Sequence, residues 1–173
     1  MRNRALKYTI GFAVVGLIIS LLIAYVERRT VTTFQDNMPY VSLGDNIKNR
    51  TSGAHLWFEE LLGGDASLDF ERDVMAQLNT VRAALQAAYD GKTTEHGAFE
   101  KAIDEDTKVI LKEGLVGIDK LISTARERWK ARQESQNSSD SASAAMNSGA
   151  GSQLDQQFDS TYENFQLTMD RLI

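Results

Sequence analysis

The chain has 173 residues, and its 24 acidic side chains outnumber 19 basic ones, giving a net charge of −5 at pH 7. A protein this acidic is a poor candidate for binding nucleic acid. The absence of cysteine from the sequence excludes disulfides, thiolate metal sites and a cysteine nucleophile. A single proline, and few β-branched residues beyond the N-terminal apolar stretch, favour long helices over strands.

That apolar stretch runs from Tyr8 to Val26 and contains no charged residue and no proline. A helix needs about 20 such residues to cross the hydrocarbon layer of a membrane. The stretch therefore predicts a transmembrane helix, with a tyrosine near each end at the level of the lipid headgroups. A cleaved secretory signal is the alternative, but the run is longer than a signal's apolar core and no small-residue cleavage pattern follows it.

The charges on either side of the stretch predict its orientation. Three basic residues precede it and two follow directly after Glu27, a bias that places the N-terminus in the cytoplasm. We expect residues 1–29 to form a cytoplasmic stub and membrane anchor, and residues 30–173 to form one extracytoplasmic domain. That domain carries 14 basic and 23 acidic side chains, a net charge of −9.

The domain is predicted to begin with a helix from about Tyr40 to Leu62. Pro39 should kink or restart the helix that leaves the membrane, and Gly63-Gly64-Asp65 should end this one. The residues of its predicted seam recur at alternating spacings of four and three, as in a helix bundle. They are Ile47, Thr51, Ala54, Phe58 and Leu61.

A second helix is predicted to start near Ser67 or Asp69, either of which can cap it, and to end at Asp90-Gly91. Its buried face is predicted to consist of Phe70, Val74, Leu78, Val81, Leu85 and Ala88. A polar connection through His96, read as an exposed loop histidine, leads to a third helix over about 104–133. Its predicted seam consists of Leu111, Leu115, Ile118, Ile122, Ala125 and Trp129.

A serine-rich stretch at about 134–150 is too polar to offset its ordering entropy and predicts a mobile loop. The fourth helix is predicted to begin with Ser152 as its cap and to run to the end of the chain. Its predicted apolar face consists of Leu154, Phe158, Tyr162, Phe165, Met169 and Leu172. The expected fold is all-α: one transmembrane helix followed by an up-down-up-down four-helix bundle.

Folding the four helices in this way predicts a polar cluster at the end of the bundle far from the membrane. His55 and Glu59 share one face of the first helix at spacing i,i+4, and Asp155 and Asp159 share one face of the fourth. The first and fourth helices are neighbours in such a bundle. The end of the third helix, with Arg126, Arg128 and Trp129, reaches the same level.

Three interpretations of this cluster stay open. The first is a capping network, in which Asp155 and Asp159 favour the positive end of the fourth helix and Arg126 or Arg128 neutralises them. The second is a site for a small-molecule or ion ligand, lined as a set by His55, Glu59, Arg126, Trp129, Asp155, Phe158 and Asp159.

The third interpretation is a metal site. Its donors would be His55, Glu59, Asp155 and Asp159, a combination of imidazole and carboxylates that suits zinc, iron or manganese. The sequence contains no phosphate-binding glycine loop and no HExxH, GxSxG or calcium-loop motif, and it has two histidines. We expect no enzyme activity and no cofactor other than such a metal ion.

Two motifs carry a family resemblance: His55-Leu56-Trp57-Phe58-Glu59-Glu60 followed by Gly64-Asp65, and Gly151-Ser152-x-x-Asp155-Gln156-x-Phe158-Asp159. With Glu127-Arg128-Trp129, they resemble the extracytoplasmic input domains of bacterial methyl-accepting chemotaxis receptors and related transmembrane sensors. The likeness covers about Asp45 to Leu172. It implies a periplasmic four-helix bundle, usually a homodimer, on the bacterial inner membrane. Such a domain converts ligand binding into a displacement of a helix that enters the membrane.

The resemblance supplies neither a ligand nor catalytic residues. The chain departs from it at Asp90-Gly91, where relatives tend to carry paired glycines, and at Ile173, after which a second transmembrane helix and an output domain would be expected. Two rival functions remain for such a chain. One is a single-pass structural adaptor of the cell envelope that binds a protein partner; the other is a metal-binding bundle with a redox or storage role.

Overall fold

The structure is a computed structural model that describes residues 2–94, 97–99, 105–137 and 150–173, with side chains described for 14–30, 38–93, 99, 105–136 and 150–173. Over these residues the chain is built of helices joined by turns and one short hairpin. The predicted all-α class is therefore confirmed. The chain divides into two compact units, Met1–Met38 and Pro39–Ile173.

The first unit is formed by the N-terminal part of helix α1, Arg2–Gly63. Its large apolar side chains between Val14 and Val26 are each 50% to 63% exposed. The predicted transmembrane stretch begins at Tyr8, and the side chains of residues 8–13 lie outside those described. Within the described part of the chain, none of the helices combines the length and the apolar character needed to cross a membrane.

Helix α1 includes Pro39, so of the two alternatives predicted there, a kink or a restart, the restart is wrong. The helix ends at Gly63, as predicted from its glycine pair. The amide of Gly64 donates to the carbonyl of Leu61, and the amide of Asp65 donates to that of Glu60, each at 3.1 Å. This double closure requires a left-handed residue, and Gly64 supplies it with φ of +103°.

A π-helical turn, Phe70–Met75, leads directly into helix α2, Ala76–Tyr89. Asp69 is the cap, as predicted: its carboxylate accepts a hydrogen bond from the amide of Arg72 at 2.7 Å. All six residues of the predicted apolar face are buried. At the other end Gly91, with φ of +69°, closes the helix as predicted.

A two-stranded hairpin, β1 Thr93–Thr94 and β2 Gly97–Ala98, lies where the sequence predicted a polar connection. Thr93 pairs with Ala98 and Thr94 with Gly97. Strands of two residues are too short to show an alternating pattern, which is why they were not predicted. His96, predicted to be exposed in this connection, lies outside the described residues. Phe99 is buried beyond the hairpin.

Helix α3, Glu105–Asn137, is longer than predicted. It includes the first residues of the stretch predicted to be a mobile loop, and 138–149 lie outside the described residues. The buried face of α3 overlaps the predicted seam in part. Four residues of the predicted seam are buried, namely Leu111, Ile118, Ile122 and Ala125, while Leu115 and Trp129 are only partly buried. Gly114, Leu121 and Arg128, which were not predicted, are buried as well.

Helix α4, Gln153–Asp170, is capped by Ser152, whose hydroxyl accepts a hydrogen bond from the amide of Asp155 at 3.2 Å. This cap was predicted. Successive helices of the second unit contact each other in antiparallel order. For α1 and the segment formed by the π-helical turn and α2, the contacts that show it are Arg50 with Gln77 and Phe58 with Phe70. For that segment and α3, they are Arg82 with Asp119 and Phe70 with Trp129. Those for α3 and α4 are Glu113 with Arg171 and Arg128 with Asp155.

Helices α1 and α4 are also antiparallel neighbours. Lys48 is paired with Asp170, the hydroxyls of Ser52 and Tyr162 lie 2.8 Å apart, and His55 contacts Asp159. Residue numbers therefore rise along α1 as they fall along α4. This contact brings His55 to the N-terminal half of α4, where the carboxylates of the predicted cluster lie.

Candidate functional site

The side chain of Arg128 lies at the centre of the cluster and is 1% exposed. Its Nη1 donates to Oε1 of Glu59, and its Nη2 donates to Oε2 of the same carboxylate at 3.1 Å. Nη2 also pairs with Oδ1 of Asp155. This guanidinium therefore joins α3 to α1 and α4. A buried charge is costly unless it is paired, so these two carboxylates are what allows an arginine at this position.

Aromatic rings surround the guanidinium on two sides. Its central carbon lies 5.5 Å from the ring centroid of Phe58 and 5.7 Å from that of Phe158. Such cation–π contacts add to the pairing in a desolvated setting. The Nε atom of Arg128 is buried and has no hydrogen-bond partner among the described atoms. The guanidinium is thus held from one edge, the edge that faces Glu59 and Asp155.

Asp155 has a second role at the start of α4. Its Oδ2 accepts a hydrogen bond from the amide of Gly151 at 2.6 Å, while its own amide donates to Ser152. The carboxylate therefore lies at the positive end of the helix and is neutralised there by Arg128. For Asp155, these are the contacts expected of the capping network.

His55 lies beside this network, on the face where α1 meets α4. Its Nε2 is 3.1 Å from Oδ1 of Asp159. Its ring is stacked on Tyr162, with centroids 4.3 Å apart, and on Phe158, with centroids 5.4 Å apart. The imidazole is 26% exposed and the Asp159 side chain 48%. Two rings therefore fix the orientation of an imidazole that water can still reach.

Three potential metal ligands meet at this place. One donor atom each from His55, Glu59 and Asp159 lies within 4.8 Å of the other two, a grouping found among the described residues. The structure therefore brings three of the four predicted metal donors together. Asp155, the fourth, is bound instead to Arg128 and the backbone of Gly151.

Two residues of the predicted ligand site lie elsewhere. Arg126 is exposed, because two residues along a helix correspond to a rotation of about 200°, which places it away from Arg128. Trp129 is half-buried and its ring stacks on Phe70, with centroids 5.1 Å apart, so it packs toward α2. Phe158, the other predicted wall, does lie in the cluster.

Two residues of the cluster were absent from the predicted ligand site. Arg128 was considered as a neutralising charge, but its central, buried position was not expected. Arg128 lies three residues after Ala125 and seven after Leu121, so it continues the buried face of α3. This spacing indicated burial, but an arginine is not expected at a buried position. Tyr162 was assigned to the apolar face of α4 without a role beside His55.

Charge is unbalanced around the three donors. Glu59, Asp155 and Asp159 contribute three carboxylates, and among the described residues Arg128 is a guanidinium bonded to two of them. With a neutral imidazole, these groups together carry a charge of −2. The cluster therefore favours a cation at its solvent-facing side, near His55 and Asp159.

Comparison with known proteins gives no significant match to this chain among protein-family models, curated proteins or solved structures. The likeness to chemoreceptor input domains stays a prediction from the sequence motifs at 55–65, 127–129 and 151–159. A function for the cluster therefore has to be argued from its own contacts, exposure and charge.

Proposed function

We propose that the chain is the membrane-anchored sensory domain of a bacterial chemoreceptor-type transducer, with its ligand site at His55, Glu59 and Asp159. The observation that carries this proposal is the polar cluster that joins α1, α3 and α4 around the buried Arg128. Two of the three donors lie on α1, the helix that also contains the apolar stretch near the N-terminus. A ligand held between α1 and α4 therefore acts on the helix proposed to enter the membrane.

The proposed architecture is a transmembrane anchor followed by an up-down-up-down four-helix bundle. Support for the bundle comes from the antiparallel contacts between successive helices and between α1 and α4. Support for the anchor comes from the uninterrupted apolar sequence from Tyr8 to Val26. The basic residues before it favour a cytoplasmic N-terminus on the inner membrane and a periplasmic bundle.

The mechanism depends on a shift of α4 relative to α1. Their contact includes polar pairs such as Ser52 with Tyr162 and Gln166 with Thr51, each at 2.8 Å. The pair of Ser52 with Tyr162 is exposed and can exchange partners with water at small net cost, about 0.5–1.5 kcal/mol, whereas Thr51 is buried. A ligand that binds one arrangement more tightly will favour it, with a coupling of about 1–3 kcal/mol typical of such systems.

A structural adaptor of the cell envelope is the second candidate function. The observation that favours it is the pairing of Arg128 with both Glu59 and Asp155, since a network neutralised in this way can serve stability alone. An adaptor would bind a protein partner through its surface and would show no response of the cluster to small molecules.

The test is a thermal-shift screen of the full chain in detergent with amino acids, organic acids and metal salts. We expect at least one compound to raise the melting temperature of the wild type and to lose this effect in His55→Ala. Lys48→Ala is the matched control, because Lys48 also lies on α1 and pairs with α4. A screen without any His55-dependent shift would contradict the sensory function and favour the adaptor.

We also propose that the domain works as a homodimer, with the outward faces of α1 and α4 as the contact. Leu56 on α1 and Leu167 on α4 are large apolar side chains that are exposed. Sedimentation of the full chain in detergent, with and without a compound from the screen, measures the oligomeric state. A monomer under all conditions would remove the dimer from the proposal.

A further inference from the structure

We propose that the ligand of this cluster is a divalent transition-metal ion, bound by Nε2 of His55 and the carboxylates of Glu59 and Asp159. The inference rests on the proposed function and names the chemical class of its ligand. Imidazole nitrogen together with carboxylate oxygen suits zinc, iron and manganese, whereas magnesium prefers an all-oxygen set.

Distances within the donor set are compatible with one ion. In a tetrahedral site with bonds of about 2.0–2.2 Å, two ligand atoms lie about 3.3–3.6 Å apart. Nε2 of His55 and Oδ1 of Asp159 are 3.1 Å apart, and all three donors lie within 4.8 Å of one another. Small side-chain movements bring the set to metal distances. His55 and Glu59 are one turn apart on α1, so the backbone already places them on one face.

The neighbouring groups hold the donors in place. Arg128 bonds both oxygens of Glu59, and a carboxylate has about four lone-pair positions, so Glu59 can bind a metal while it keeps this partner. Phe158 and Tyr162 stack on His55 and fix the ring plane. Such surrounding contacts orient metal ligands and raise affinity.

Charge gives an independent reason for a cation. The Arg128 guanidinium is almost fully buried. It pairs with Glu59 and Asp155 and neutralises one of the three carboxylate charges. A divalent ion beside His55 and Asp159 would bring the total charge of these groups from −2 to zero. Asp159 has no arginine in this set, so the ion would lie on the side of the cluster away from Arg128.

Partial exposure leaves room for a fourth ligand. The side chains of His55, Glu59 and Asp159 are 26%, 34% and 48% exposed. A site with three protein ligands and solvent access completes its coordination with water or a small anion. Binding also replaces the hydrogen bond between His55 and Asp159 with two bonds to the metal. Because His55 lies on α1 and Asp159 on α4, the ion would then connect these two helices.

The test is isothermal titration of Zn²⁺ into the full chain in detergent, purified without a chelating tag and stripped with a chelator. We expect one zinc ion per chain, at least about tenfold weaker binding in Asp159→Asn, and no binding of Mg²⁺ at the same concentration. Asp170→Asn is the matched control. Asp170 is also on α4, pairs with a basic residue of α1 and is 49% exposed, close to the 48% of Asp159.

Absence of zinc binding, or equal loss in the two variants, would overturn the metal proposal. His55→Gln is the second variant, with the same expected loss, should Asp159→Asn fail to fold. The experiments can refute the metal proposal and the sensory function independently of each other. An organic compound with a His55-dependent thermal shift, without zinc binding, would refute the metal and support the sensory function. Stoichiometric zinc at this site without any change in the α1 and α4 contact would support the metal and refute the sensory function.

Discussion

Helix α4 meets α3 through apolar side chains in its C-terminal half, whereas its contact with α1 combines apolar packing with several polar pairs. On the α3 side, a Cβ atom at Gly114 would lie 2.6 Å from Cε of Met169, and one at Gly117 would lie 3.0 Å from the ring of Phe165. On the α1 side, ion pairs and hydrogen bonds such as Lys48 with Asp170 lie beside apolar contacts, among them the rings of Phe58 and Phe158 with centroids 5.0 Å apart. The α3 contact is close-packed over this stretch, and in the α1 contact the exposed polar pairs can exchange with water.

This difference indicates which contact is able to change. Moving α4 away from α3 would open cavities in a packed core, which costs more than exchanging a surface hydrogen bond. Movement of α4 along α1 breaks exposed polar pairs, such as Ser52 with Tyr162, that water can replace, and it shifts the ring of Phe158 relative to that of Phe58. The cluster around Arg128 lies where the two interfaces meet, so a ligand there acts on the adjustable contact while the other one stays fixed. Substitutions in the cluster and in the two interfaces should therefore differ in their effect on stability.

Replacing Arg128 should have the largest effect. Arg128→Met leaves Glu59 and Asp155 without their partner, and breaking a buried ion pair on one side costs about 3–5 kcal/mol. We expect a loss of about 3 kcal/mol in the free energy of unfolding, because Glu59 is 34% exposed and water can replace part of the pairing. Urea denaturation measures it. Arg126→Met, at an exposed position, is the control and should change stability by less than about 0.5 kcal/mol.

Overpacking of the α3 and α4 interface should rank next. Gly114→Leu places a large side chain against Met169 and Leu85, and overpacking costs about 1–3 kcal/mol. Gly53→Leu on α1 is the control, because nothing lies within 4 Å of its added Cβ. It should raise stability by up to about 1 kcal/mol through helix propensity. Equal effects of the two substitutions in urea denaturation would show that α3 and α4 are not close-packed at this point.

A polar contact between α1 and α4 should contribute less. Gln166→Ala removes the hydrogen bond to Oγ1 of Thr51. The hydroxyl of Thr51 keeps its bonds to backbone carbonyls of α1, so we expect a loss of about 1 kcal/mol. Gln157→Ala, at an exposed position of α4, should have no measurable effect. A loss as large as that of Arg128→Met would mean that the α1 contact is as rigid as the α3 contact.

The smallest effect concerns a carboxylate away from both interfaces. Hydrogen bonds from the Arg72 side chain and the Asp69 amide lower the pKa of Asp73 from 3.8 to about 2. Because folding lowers the pKa of Asp73, its ionised carboxylate adds to the free energy of unfolding above pH 3.8. This contribution is lost as the pH falls from 3.8 toward about 2. The stability difference between wild type and Asp73→Asn should shrink over that window. A difference independent of pH there would contradict the assigned hydrogen bonds.

The helices were predictable from the sequence where the signal is local. Caps at Asp69 and Ser152, and ends at Gly63 and Asp90-Gly91, depend on residue types within one turn. The apolar face from Phe70 to Ala88 follows from the regular helical spacing of its residues, and all six of them were predicted correctly. These features need no knowledge of the partner helix.

The cluster was predictable only in part, because it depends on contacts between helices. The i,i+4 spacing identified His55 and Glu59, and antiparallel order placed them opposite Asp155 and Asp159. The burial of Arg128 could not be predicted, since a charged residue on a seam is stable only if carboxylates from two other helices reach it. The hairpin after α2 and the extension of α3 to Asn137 were missed because neither has a periodic signal.

The most direct test of the sensory mechanism is a distance measurement between α1 and α4. The chain has no native cysteine, so spin labels can be placed on Asn49→Cys and Asn164→Cys, two exposed positions other than the residues named for the dimer contact. Dilution of the labelled chain with unlabelled wild type restricts the measured distances to those within one chain. Pulsed electron paramagnetic resonance of the full chain in detergent would compare the distance distribution with and without Zn²⁺. We expect saturating zinc to shift this distribution in the wild type and in Asp170→Asn, and to leave it unchanged in Asp159→Asn. Identical distributions with zinc stoichiometrically bound to the wild type would contradict the account.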